Sequence, residues 1–267
     1  MRREHRLWLA IILLIIFLAV VVIVIILSQK SHQTILVGSW NLQVFGDKKA
    51  SDEVALIEFI DVIEQYDVMF LQEIRDSDGS SIALLCSRIK NMTCRASSRA
   101  GRTSSKEQYV VVVRNGIEVL DWQDHSPNDR WERPPLEFVI GVQNSTANAT
   151  IRLFGIHVKP TDVANELTLL EQIAFSDAQK EPVLVLGDLN ADCGYYQRNN
   201  QHFASWAWLI PDNADTTTGR SNCAYDRIIA NDIASREIFA SGVHKANITE
   251  ELTDHYPVWA RVIVDQR

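Results

Sequence analysis

The stretch VLVLGDLNADC (residues 183–193) carries strand-forming apolar residues through Gly187 into Asp188, Asn190, Asp192 and Cys193. A short, continuously apolar run of this kind is built for burial on both faces. Its polar exit has two readings. Gly, Asn and Asp favour a turn leaving the core, and the carboxyl ends of strands in α/β sheets are where ligand-binding oxygens collect.

The pattern recurs. TILVGSWNLQ (34–43), DVMFLQEI (67–74), EQYVVVVR (107–114), GIEVLDW (116–122), YDRIIA (225–230) and YPVWARVIV (256–264) read as strands. LEFVIGVQ (136–143) and ATIRLFGIHV (149–158) bracket an Asn/Thr turn and read as a hairpin. Helical spacing appears over 51–66 with Ser51 as N-cap, near 80–90, and over 161–180 with a Thr cap. Strands outnumber helices and the two alternate only in part. This predicts an α/β chain with two packed, largely antiparallel sheets and helices outside.

Polar residues gather at the ends of these strands. Asn41, Glu73, His157, Asp188 and Asn190 end four of them, Asp226 opens YDRIIA, and Asp254 and His255 precede the last. Each alone reads as a rim or turn residue; together, one sheet edge brings them into one cleft. Hard cations such as Mg2+ take carboxylate oxygens and substrate phosphates. Glu73, with Asn41 nearby and Asp254 or Asp188 opposite, is such a donor set. Two histidines suit proton transfer to and from a reacting phosphate, each oriented by a carboxylate, with Asp226 available to His255.

The N-terminus sets the location. MRREHR precedes 21 uncharged apolar residues, Leu7–Leu27, which as a helix span about 30 Å, the thickness of a bilayer's hydrocarbon. The run is too long for a cleaved signal's core and has no small-residue cleavage site after it. It reads as a signal anchor: 1–6 cytoplasmic, 7–27 transmembrane, 28–33 linker, and 34–267 extracellular, lumenal or periplasmic. Of the chain's 26 basic and 34 acidic residues, four and one lie in the first 30, leaving a net charge of −11 on the remainder. That excludes a generally basic nucleic-acid binder and leaves room for an enzyme whose acids hold a cation. Cys86, Cys94, Cys193 and Cys223 lack zinc-site spacing, and export favours disulfides, in any of three pairings. Asn91, Asn144, Asn148 and Asn247 open glycosylation sequons.

SWNLQ, FLQEIRDSD, GRTSSKEQY, IHVKP, GDLNADC, LIPDNADTTTGRSNCAYDRI and TDHYPV together resemble deoxyribonuclease I, of the endonuclease/exonuclease/phosphatase superfamily, over residues 34–264. The resemblance implies a four-layer α/β sandwich and a DNA endonuclease with little sequence preference. It implies Mg2+, with Mn2+ a substitute, held by Glu73 and Asn41. Asp188 and Asn190 would orient the phosphate or hold a second cation, with Asp254 beside His255. His157 would pair with Glu107 and His255 with Asp226, one pair activating water and the other protonating the departing 3′ oxygen. Arg75 and Arg133 match positions that contact DNA, Tyr225 one near the phosphate, and Cys193–Cys223 the structural disulfide. Arg99, Arg102 and Arg114 extend the expected phosphate track.

Several positions depart from the family. Ser105 replaces a Tyr that packs against a minor-groove sugar, and Thr103 an Asn, which implies duplex binding weakened by about 1–3 kcal/mol. The loop about Asp215 and Thr217 resembles a structural Ca2+ loop, with Gly219 and Ser221 where Thr is frequent. A second calcium site is eroded before Asn128 and at Pro134. Cys86 and Cys94 match no family pair, and a bridge from a helix end to the next strand would accommodate them. No actin-contacting surface is recognisable at 95–100, and the chain is expected to act as a monomer. A phospholipid phosphodiesterase of the sphingomyelinase kind and an inactive DNA-binding relative are the alternatives.

Overall fold

The computed structural model describes residues 8, 15–18, 33–102, 106–126, 130–143, 148–176, 178–197, 199 and 201–264. The chain divides into two units, Met1–Gln33 and Thr34–Arg267. Most of the expected anchor lies outside the described residues; Trp8 and Ile15–Leu18 are helical with exposed side chains. Among the described residues no helix is long and apolar enough to cross a membrane. Thr103, Ser105, Asn128 and Asn144 also lie outside them.

The second unit holds two six-stranded sheets. The first contains β1 (Thr34–Phe45), β2 (Val68–Ile74), β3 (Met92–Ala96), β4 (Gln108–Arg114), β11 (Ile238–Val243) and β12 (Val258–Ile263), in the order β11-β12-β1-β2-β4-β3. The second contains β5 (Ile117–Asp124), β6 (Leu136–Gln143), β7 (Asn148–Gly155), β8 (Val183–Asp188), β9 (Ala207–Trp208) and β10 (Asp226–Ala230), in the order β5-β6-β7-β8-β10-β9. Pairing is antiparallel except for β1 with β2 and β7 with β8. Those two parallel pairs are the ones joined through helices, as a crossover requires. The helices are α1 (Asp47–Ser51) and α2 (Glu53–Ile63) in the first crossover, α3 (Ser80–Arg88) after β2, α4 (Val163–Ala174) in the second crossover, and α5 (Asp232–Ser235).

The alternation of side chains along a strand sorts the core into layers. Ile35 and Val37 of β1, Val68 and Phe70 of β2, and Tyr109, Val111 and Val113 of β4 meet Phe138, Ile140, Leu184, Leu186 and Ile228 between the sheets. The alternate residues Trp40, Leu42, Met69, Leu71, Val110 and Val112 pack against Leu56, Phe59 and Leu85 of α2 and α3. Val183 and Val185 pack outward on Leu167 and Leu170 of α4. The result is the expected four-layer sandwich.

Local details differ from the sequence reading. Asp52 rather than Ser51 caps α2, accepting from the N–H groups of Val54 and Ala55. The N-cap of α4 is Asp162, not Thr161, and its side chain makes no capping hydrogen bond. The hairpin's return strand ends at Gly155, so His157 stands two residues beyond it. Strands β3, β9 and β11 are additional. β3 and β11 are half-exposed sheet edges, and β9 has two residues, so none of them carries a long apolar run.

Candidate active site

At one rim of the sandwich the inner faces change from apolar to polar within one side-chain period. In β1 the inward series continues through Ser39 to Asn41, in β2 to Gln72, in β8 to Asp188, and in β10 it runs back from Ile228 to Asp226; all five are buried. Gln72 spans the sheets, donating to Ser39 Oγ (3.0 Å) and accepting from the Asp188 N–H (2.7 Å). Glu73, next in β2, breaks the alternation. The β2–β4 register shifts between Leu71 and Ile74 and Glu73 adopts φ 57°, a bulge that re-aims its carboxylate. Its Oε2 accepts from the N–H of Val44, itself at φ 57°, and its Oε1 accepts from Asn41 Nδ2 (3.2 Å). Positive φ is costly for a β-branched residue, and such strain gathers at functional sites.

Gly187 allows β8 to reach this rim. It has φ 148°, and a Cβ there would stand 1.8 Å from the Ile156 carbonyl oxygen. Ile156 precedes His157, so the strand carrying Asp188 passes against the backbone carrying the imidazole.

Two imidazole–carboxylate pairs face each other across the cleft. His157 Nδ1 lies 3.0 Å from Glu107 Oε2, and its backbone N–H donates to Tyr109 OH (3.0 Å). His255 Nδ1 lies 2.7 Å from Asp226 Oδ2, while its carbonyl accepts from Trp40 Nε1 (2.9 Å). Both remaining ring nitrogens point at one oxygen, Asp188 Oδ2, at 3.4 Å from His157 and 3.6 Å from His255. Asn41 Nδ2 donates to the same oxygen (3.1 Å), and Asn190 N–H donates to Asp188 Oδ1 (3.1 Å). Asn190 Nδ2 binds the Val158 carbonyl (2.9 Å).

Charge follows from this packing. Burial acts to raise Glu107, but His157, Arg133 and Arg75 outweigh it and hold the carboxyl at about 2. Arg75 reaches Glu107 at 3.0 Å and Glu73 at 3.4 Å, and Arg133 reaches Glu107 at 3.3 Å. Burial acts to lower His255, but Asp226, Asp188 and Asp254 hold the imidazole up at about 10. Burial raises Asp254 against the opposing charge of His255, with Glu73 and Asp188 adding to the rise. Glu73 and Asp188 share the Asn41 amide as donor, and two groups able to hold a metal meet at this rim, Glu73 with Glu107 and His157 and Asp188 with Asp226 and His255, with Asp254 in neither. Asn41 turns its amide nitrogen to two of these acids and its oxygen to the Gln43 N–H (2.9 Å), so it currently aligns the acids.

The other expected residues are placed as follows. Tyr225 packs against half-exposed Tyr195, ring centroids 5.4 Å apart. Arg102 is exposed, with its backbone N–H on Glu132 (3.0 Å). Arg114 does not extend a phosphate track. β4 runs away from the rim, and Arg114 at its far end binds Asp67 and the carbonyls of Glu64 and Tyr66. Cys193 pairs with Cys223, stapling the loop after Asp188 to the segment before Asp226, and Cys86 in α3 pairs with Cys94 in β3. Thr217 forms a backbone bridge with His255.

Sequence reasoning missed Lys49. Its ammonium, in α1, donates to the carbonyls of Leu42 (2.8 Å) and Leu252 (2.7 Å). Thr253 Oγ1 adds a bond to the Asn41 carbonyl (2.9 Å). Together they clasp the end of β1 to the loop that presents Asp254 and His255. No strand-end pattern marks a lysine in a helical turn, so the sequence offered no signal.

A six-on-six sandwich with acids, amides and paired histidines at one rim defines a phosphoesterase class. The chain matches the endonuclease/exonuclease/phosphatase family over residues 38–255. It belongs to that family, in its deoxyribonuclease I-like branch. Mouse deoxyribonuclease-1-like 2 is 32% identical over 251 residues, covering 83% of this chain and 89% of that protein. Chicken deoxyribonuclease-1 is 29% identical over 259 residues, covering 84% and 91%. Among solved structures, a family protein from Bacteroides thetaiotaomicron superposes with TM-score 0.64 at 12% identity, over 89% of this chain and 100% of that one. Truncated Caenorhabditis elegans TDP2 gives TM-score 0.60 at 14% identity, over 86% and 97%. Both structural likenesses speak for the fold alone.

Proposed function

We propose that this chain is a membrane-anchored, Mg2+-dependent endonuclease that hydrolyses DNA with little sequence preference, leaving 5′-phosphate and 3′-hydroxyl ends. The supporting observation is the convergence of two carboxylate-backed imidazoles on Asp188 Oδ2, at 3.4 and 3.6 Å, in a chain of the deoxyribonuclease I-like branch. Glu73 and Asn41, beside Asp188 and Asp254, would hold the cation. When bound, it would supply positive charge to the phosphate's non-bridging oxygens.

In this reading the scissile phosphate sits between the two imidazoles, oriented by Asn190 and Tyr225. His157 Nε2 takes a proton from the attacking water, with Glu107 fixing the ring through Nδ1. His255, held protonated among three carboxylates, gives a proton to the 3′ oxygen as the P–O3′ bond breaks. Water's oxygen ends on phosphorus, and the proton count closes when the two histidines exchange protons with solvent. Arg75 and Arg133 keep Glu107 ionised, and Arg75, the more exposed of the two, would meet the DNA backbone. The run Leu7–Leu27 would hold the catalytic unit at the outer surface of a membrane.

The test uses the full-length chain in detergent with supercoiled plasmid and Mg2+. Nicking that chelation abolishes, and that His157→Ala and His255→Ala both cripple, is the expected result. An intact plasmid beside hydrolysed phospholipid would replace this reading with a lipid phosphodiesterase.

A further inference from the structure

The turn that resembles a calcium loop already contains a cation of its own. Asp215 Oδ2 lies 3.2 Å from Lys245 Nζ. Asp215 Oδ1 accepts from both the N–H (3.1 Å) and the hydroxyl (2.9 Å) of Thr217. The same hydroxyl lies 2.5 Å from the Ser221 carbonyl oxygen, and Ser221 Oγ lies 3.1 Å from it. The Lys245 ammonium also stands 5.1 Å from the centroid of the Tyr256 ring, between a carboxylate and an aromatic face. Calcium asks for six to eight oxygens, several of them anionic. Gly219 offers no side-chain oxygen, and among the described residues Asp215 belongs to no cluster of three acidic, imidazole or thiol groups able to hold a metal. Glu250 Oε1 stands beside Gly219, 3.2 Å from where a Cβ would be, but it completes no such cluster with Asp215, so the donor set does not fit calcium, and an ammonium occupies Asp215.

This turn is bound to the catalytic loop. Thr217 bridges His255, Thr218 N–H donates to the Asp254 carbonyl (3.0 Å), Thr218 Oγ1 to that of Thr253 (2.7 Å), and Tyr256 N–H to that of Thr216 (2.8 Å). Whatever neutralises Asp215 thus supports the backbone that presents His255.

We infer that Lys245 is a resident substitute for calcium: the Asp215–Lys245–Tyr256 arrangement holds the 215–218 turn, and the fold is independent of Ca2+. The inference stands apart from the nuclease reading, because it is tested by stability rather than by cleavage. Thermal unfolding of the full-length chain in detergent is followed in EGTA and in millimolar Ca2+, for the wild type, Lys245→Met and Lys245→Arg. The expected result is a wild-type Tm that Ca2+ does not move. Lys245→Met should melt about 2–4 °C lower in EGTA and in Ca2+ alike, while Lys245→Arg behaves as wild type. A wild-type Tm that rises with Ca2+ overturns the inference, as does a Lys245→Met Tm that equals wild type or that Ca2+ restores. Calorimetric titration of the wild type with Ca2+ needs no variant, and saturable binding stoichiometric with the chain, lost in Asp215→Asn, would overturn it as well.

Discussion

His157 and Glu107 meet at 3.0 Å although they hang from different sheets. His157 follows β7 of the second sheet and Glu107 precedes β4 of the first. The other pair crosses in the opposite sense, with His255 before β12 of the first sheet and Asp226 opening β10 of the second. Each imidazole is thus oriented by the sheet it does not belong to.

Removing either imidazole should lower kcat on plasmid DNA by about 10²–10⁴-fold, the usual range for a general acid or base, with KM moved by no more than a few-fold. Because Glu107 acts through His157, adding Glu107→Gln to His157→Ala should cost little more. A full multiplicative loss in the double variant would show that Glu107 works independently of the ring.

Acid should weaken the fold through Glu107. Its folded carboxyl is held at about 2 against an ordinary value of 4.5. A depressed carboxylate contributes stability above the unfolded value and loses it as pH falls toward the folded one. Chemical denaturation between pH 5 and 2 should therefore show a steeper loss for wild type than for Glu107→Gln, by on the order of 2 kcal/mol. Parallel curves would refute the assignment.

Lys49→Met should separate positioning from chemistry. Loss of the two carbonyl bonds frees the loop before Asp254, so the Mg2+ concentration for half-maximal activity should rise and kcat/KM fall by about 10-fold. Lys49→Arg, which keeps the charge and two donors, should recover most of both. A pure stability defect would instead lower the amount of active enzyme without moving the Mg2+ midpoint.

Gly187→Ala should fail more severely than an ordinary core substitution. The added methyl meets a backbone oxygen at 1.8 Å and the φ of 148° suits only glycine, so a loss of more than about 3 kcal/mol, or no folded protein, is expected. Circular dichroism with urea titration decides it.

Much of this was legible in the sequence because period-two burial is legible. Val68, Phe70 and Gln72 share a face by alternation alone, and so do Leu184, Leu186 and Asp188. The strand-end acids and imidazoles therefore announced a common rim. What stayed hidden depends on distance in three dimensions. The edge strands β3 and β11 lack a continuous apolar run. The commitment of Arg75 and Arg133 to Glu107, and the turning of the Asn41 amide nitrogen toward two acids, follow from packing between sheets. Lys49 and Lys245 look like ordinary surface lysines until the carbonyls and the carboxylate they meet are placed beside them.

The crossed pairs give the molecule a built-in gauge of its own tertiary order. A state that keeps both sheets hydrogen-bonded while the layer between them swells would retain its far-ultraviolet spectrum. It would still draw His157 from Glu107 and His255 from Asp226 together. Catalysis should vanish on such loosening before secondary structure does, and the protein would fall silent while still looking folded.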